Sequence, residues 1–144
     1  EVADQDAAED GLGDIAAKYP IEKIRLVDHY DADDERSMTD NNSSSFNFRF
    51  ISHTTKVSKH GMGAAIDINP LYNPYVKIVD GALSIEPAAG ASYVDRSRDF
   101  PMKIDESDLA FQIFTRYGFE WGGSWDGRKD YQHFEIPDDV IKNW

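Results

Sequence analysis

An α+β fold, a single domain with helices flanking a central antiparallel sheet, is what this sequence predicts, on three observations. Residues 45–51 (SFNFRFI) alternate Phe46, Phe48 and Phe50 with Asn47, Arg49 and Ile51, the period of a strand. Asp80-Gly81 stands between two apolar-rich runs in VKIVDGALSIE, a strong short-range hairpin signal. Strand-like runs and helical runs follow one another with neither an internal repeat nor a linker, which argues for one domain rather than two.

Taken in order, residues 1–19 form an acidic, Ala-rich segment with weak helical period, broken near Gly11 and Gly13 and closed by Pro20. The domain proper is expected over residues 20–144. IEKIRLVDHY (21–30) is β-branched enough for a strand, and the polar run 31–45 reads as a surface loop. GAAIDIN (63–69) is a second short strand, the Asp80-Gly81 hairpin follows, and residues 87–103 read as loop. Asp105 or Ser107 is positioned to cap a helix reaching Tyr117, with Leu109, Ile113 and Phe114 turned inward and Gly118 as its stop. A Gly- and Trp-rich stretch then leads into a last strand, YQHFEI.

Composition narrows the chemistry. The 144 residues are 40% hydrophobic, enough for one core without covalent staples. There is no cysteine, so a metal must be held by His, Asp or Glu. A net charge of −12 repels phosphate backbones, which excludes nucleic acid as an expected partner. No apolar run reaches the length of a membrane span. The sequence opens at Glu1 with neither Met nor an apolar leader, so an export signal is expected to lie outside it.

The informative stretches are Ser58-Lys-His60-Gly-Met-Gly63-Ala-Ala65-Ile-Asp67 and Asp130-Tyr-Gln-His133. Together they offer two imidazoles and two carboxylates, a set suited to a catalytic zinc, which takes three protein ligands and keeps a fourth position for water. Fully extended, His60 and Asp67 would stand about 23 Å apart, so the chain must double back, and Gly61 and Gly63 allow it. Within the strand Asp67 shares a face with Ala65, while Ile66 and Ile68 face the core. His133 shares its face with Tyr131 and Glu135, and Asp130, of opposite parity, belongs at the strand's entry. His29 and His53 are read as structural. Asp28, Asp31, Asp33 and Asp34 lack the glycine of a calcium loop and are read as a solvated acidic run. Trp121 and Trp125, flanking Gly122-Gly123, fit a peptide groove and a core equally.

The pattern S-x-H-x-x-G-x-A-x-D followed by a carboxylate-x-x-His resembles the zinc peptidases of the lysostaphin, D-Ala-D-Ala and sonic hedgehog superfamily. The nearest resemblance is to VanY-type D-alanyl-D-alanine carboxypeptidases and L-alanyl-D-glutamate endopeptidases. It extends through FNFR (46–49), AIDINPLYNPY (65–75), YGFEWGGSW (117–125) and DYQHFE (130–135), covering about residues 20–136. It implies a hedgehog/D-Ala-D-Ala peptidase-like fold with one zinc on the sheet, held by His60, Asp67 and His133. It also implies Asp130 as catalytic base, Arg49 against the scissile carbonyl and Ser58 beside the site. The expected partners are peptidoglycan stem peptides, met by an exported monomer in the periplasm or cell envelope. Asp rather than Glu at position 130 leans toward the endopeptidase branch. A catalytically idle zinc fold that binds wall or other peptides is the alternative.

Overall fold

The computed structural model describes residues 19–51 and 54–143. Most of the proposed segment 1–19, and His53, lie outside the described residues. Among the described residues, eight short strands are joined by three α-helices and several 3-10 turns. The strands are β1 (Lys23–Ile24), β2 (Asn42–Ser43), β3 (Ala65–Asp67), β4 (Tyr75–Val79), β5 (Ala82–Glu86), β6 (Glu120–Trp121), β7 (Arg128–Asp130) and β8 (His133–Glu135). The helices are α1 (Asp34–Thr39), α2 (Leu109–Arg116) and α3 (Asp138–Ile141). The class is α+β. The antiparallel pairing is divided between two three-stranded sheets, β3-β8-β6 and β5-β4-β7, beside a parallel pair β1-β2.

The core forms where α2 covers the β3-β8-β6 sheet. Asp108, not Asp105 or Ser107, caps this helix by accepting from the Ala110 backbone N–H, and Asp105 instead accepts from Ser107. The helical spacing turns Ile113 and Phe114 onto Ile66, Ile68, Trp121 and Phe134, with Phe114 stacked on Phe134 at 4.5 Å. The hairpin at Asp80-Gly81 forms as its sequence predicts, with both turn residues at positive φ. Part of the 87–103 run winds into a 3-10 helix at Ala88–Tyr93.

Three further expectations fail. Residues 21–30 contribute only the two residues of β1 before a 3-10 turn at Val27–Tyr30. The 31–45 run is no plain surface loop: it builds α1 and β2 and buries Ser37, Met38, Asn41, Asn42 and Ser43. These polar groups are tolerated because they are hydrogen-bonded, Asn42 to Ser37 Oγ and both backbone groups of Arg25, Asn41 to Glu22 and the Leu71 N–H. Residues 45–51 do not form a strand. Within it an isolated bridge joins Phe50 to Val57, and Ser44, the residue just before it, bridges Asp67. With no sheet face to cover, Phe46, Phe48 and Phe50 stay 61%, 66% and 55% exposed.

Candidate metal centre

Two candidate ligands come from neighbouring strands. β3 and β8 pair with Asp67 opposite His133 and Ile66 opposite Phe134. The alternation that sends Ile66 and Phe134 into the core turns Asp67 and His133 to the other face. His60 arrives from the 3-10 turn Lys59–Met62, whose first residue is preceded by Ser58, with Ser58 Oγ accepting from the His60 N–H at 3.3 Å. The turn ends at Gly63 with φ +69°, a conformation that costs glycine little, and this delivers the chain into β3.

The donor atoms converge. His60 Nε2 lies 3.1 Å from Asp67 Oδ2 and 3.2 Å from His133 Nδ1, and His133 Nδ1 lies 2.9 Å from Asp67 Oδ1. A tetrahedral zinc with bonds of about 2.0–2.1 Å sets its ligand atoms about 3.3 Å apart, so the triangle is close to the right size. All three residues are buried, His60 to 1% exposure. The remaining ring nitrogens are tied off. His60 Nδ1–H donates to the Ser45 carbonyl at 2.7 Å, and His133 Nε2–H donates to Glu135 at 2.8 Å. Each bond fixes the tautomer that aims the other nitrogen at the common centre, as metal-binding imidazoles require. The residues present fit a zinc ion, and among the described residues they form the one His/Asp/Glu group so arranged.

Electrostatics agree with that geometry. Burial alone would raise the Asp67 pKa, but the His60 charge and hydrogen bonds from both imidazoles hold it well below the carboxylate range. Burial opposes a charge on His133, yet its bonds to Asp67 and Glu135 prevail and push it up to about 10. Glu135 is itself gripped by Lys59 Nζ at 2.8 Å, and the same ammonium bonds the Ile136 carbonyl and pairs with Asp138 of α3. Here too burial would raise Glu135, but the His133 and Lys59 bonds keep it low.

Asp130 ends β7, a strand separate from that of His133, and faces the same cavity. Its Oδ1 is buried without a hydrogen-bond partner, and burial pushes its pKa up to about 7. Its backbone sits so close to Gly122 that a Cβ there would lie 2.7 Å from the Asp130 carbonyl oxygen. Arg49 reaches the cavity from the irregular 45–51 segment rather than from a strand. Its Nε lies 3.3 Å from Asp34 Oδ2 but is not aligned for a hydrogen bond. Asp34, read from sequence as solvated, is thus part of the site, and its own burial raises its pKa against the pull of Arg49. The other acidic side chains of that run serve locally: Asp33 caps α1 and Asp31 pairs with Arg36.

The two tryptophans divide. Trp121 is a core residue whose Nε1–H donates to the Tyr131 carbonyl, so it walls no groove. Trp125 lines the cavity, with its ring 5.4 Å from His133. His29 hydrogen-bonds Arg25 and packs edge-on against Tyr30, away from the cavity. Lys59, Glu135 and Asp34 were missed as site residues. Only Glu135 left a trace in the sequence, through its shared strand parity with His133.

A family model described as D-alanyl-D-alanine carboxypeptidase matches residues 52–136, a span that holds His60, Asp67, Asp130 and His133. The chain belongs to this family. No curated protein and no solved structure matches it. Among the described residues of this D-alanyl-D-alanine carboxypeptidase family member, no helix is long and apolar enough to cross a membrane.

Proposed function

We propose that this protein is a zinc-dependent peptidase acting on the stem peptides of peptidoglycan, with the peptidase unit starting near residue 20. The observation that carries the reading is the buried His60–Asp67–His133 triangle facing, in one cavity, a buried carboxylate oxygen on Asp130 that has no partner. Buried carboxylate oxygens are hydrogen-bonded as a rule, and a free one beside three metal-ligating side chains suits a proton acceptor.

Zinc, when bound, would supply a Lewis acid that polarises a peptide carbonyl and lowers the pKa of water to about 7. Asp130 then takes the proton of the attacking water and returns it to the leaving amine, a contribution of about 10²–10⁴-fold. Arg49 donates to the carbonyl oxygen as negative charge develops there, its guanidinium held in place by Asp34. Ser45, Glu135 and Lys59 keep the imidazoles oriented. The cavity, of about 750 Å³, has room for several residues of an extended peptide. Such a substrate fits an exported protein of the periplasm or cell envelope.

Mass spectrometry of defined muropeptides, incubated with zinc-loaded and with chelated protein, tests this. Zinc-dependent release of a terminal D-alanine or of an L-alanyl fragment is expected, and also identifies the bond. No cleavage of any stem peptide by protein with full zinc occupancy would sink the proposal and leave a binding domain.

A further inference from the structure

The β4–β7 pairing sets Tyr75 opposite Asp130 and Lys77 opposite Arg128. Cross-strand partners share a sheet face, as do residues two apart along a strand. Tyr75, Lys77, Asp130 and Arg128 therefore form one surface, and all four line the cavity. Arg128 stands two positions from Asp130, about 6.8 Å along the strand. Its guanidinium lies over the Trp125 ring, 4.7 Å from the centroid, and Trp125 in turn packs on His133.

Most cations of this acidic cavity are already paired, Lys59 with Glu135 and Asp138, Arg49 with Asp34, Lys77 with Glu86. Arg128 forms no ion pair among the described residues, and it is exposed. Lys56 also lacks a carboxylate partner among the described residues, but none of their aromatic rings orients it. Its contact with the Trp125 ring restrains the Arg128 guanidinium, whose planar fork of donors can bind a carboxylate through two parallel bonds.

We propose that Arg128, held on Trp125, receives a carboxylate of the substrate peptide one or two residues from the bond cleaved, and so selects peptides that carry one there. The proposal rests on the peptidase reading above. The carboxylate is either the C-terminus of the peptide or a free carboxyl on an internal residue, and the two are separated by experiment.

Two probe pairs serve: diacetyl-L-lysyl-D-alanyl-D-alanine with its C-terminal amide, and acetyl-L-alanyl-D-glutamyl-L-lysine amide with the glutamate carboxyl not in the chain free or amidated. KM and kcat are measured on the zinc-loaded enzyme, and Kd by calorimetry on zinc-loaded Asp130→Asn. Amidation of the recognised carboxylate should raise KM and Kd at least about tenfold, in one pair only, with kcat changed less. Arg128→Gln should bring that ratio close to one, and Arg128→Lys should restore part of it. Equal affinity for free and amidated forms in both pairs, or a preference that survives in Arg128→Gln, overturns the proposal. A preference seen in Kd, with no peptide cleaved by wild type, upholds this subsite and sinks the peptidase reading instead.

Discussion

Asp67 and His133 are direct partners across the β3–β8 pairing, and their side chains meet at 2.9 Å. Sheet register therefore aligns two of the three candidate ligands. A slip of one residue would turn one of them to the core face and destroy the site together with the core. The wild-type protein should hold one zinc per chain. His60→Ala, Asp67→Ala and His133→Ala should each leave the site nearly empty by elemental analysis, and full occupancy in all three would remove the assignment.

Glu135 and Lys59 stand behind His133. Glu135→Gln should weaken zinc binding by about 10–100-fold, with a smaller effect for Lys59→Met. Competition against a chromophoric chelator measures both. Unchanged affinity in the two variants would reduce the pair to a tie between α3 and the sheet.

The metal-free protein should lose stability as pH rises from about 5 to about 9. His133, pushed up to about 10 in the fold, contributes stability that is complete below its unfolded value of about 6.5 and is lost as pH rises through about 10. Asp130 acts in the same sense, since ionising it in its buried position costs stability between about pH 4 and about 7. Asp67 and Glu135, both depressed, matter only in more acid solution. Zinc loading must expel the His133 proton, so calorimetry in buffers of differing ionisation heat should register about one proton released near pH 7. A Tm that climbs over this range, or zinc uptake without proton release, contradicts the scheme.

Asp130→Asn should keep its zinc yet lose about 10²–10⁴-fold in kcat, because an amide cannot take the proton. It should also flatten the part of the Tm loss that falls between about pH 4 and about 7 in the metal-free state. Activity within a few-fold of wild type would exclude Asp130 as the base.

Arg49→Lys keeps the charge and loses the planar fork. The loss should fall on kcat, by about 2.7–4 kcal/mol, with zinc content and Tm near those of wild type. Asp34→Asn should produce a weaker version of the same defect by freeing the guanidinium. A variant whose only fault is instability would return Arg49 to a structural role.

What could be read from the sequence was what local chemistry decides. The Asp80-Gly81 turn, the inward face of α2 and the reversal at Gly63 each follow from residues within a few positions. The spacing of His60 and Asp67 likewise points to the turn that brings them together. What could not be read depends on partners far along the chain. Asn41 and Asn42 look like loop residues until Glu22, Arg25 and Leu71 are seen to satisfy them. Phe46, Phe48 and Phe50 alternate as a strand would, yet alternation selects a face only where another layer covers it. Trp121 and Trp125 have the same glycines between them, and only the Tyr131 carbonyl and the His133 ring tell them apart.

The carbonyl that orients His60 belongs to Ser45, and the preceding residue, Ser44, exchanges both backbone hydrogen bonds with Asp67. Neither contact uses a side chain of Ser44 or Ser45, so replacing either residue with alanine would leave both contacts in place. The segment's position is nonetheless dictated by neighbours, Asn42 bound to Arg25 and Ser43 Oγ to the Asn69 N–H. Metal affinity in this protein is thereby coupled to a polar interior remote from the metal, and variants that loosen those asparagines will resemble ligand mutants while every ligand is intact.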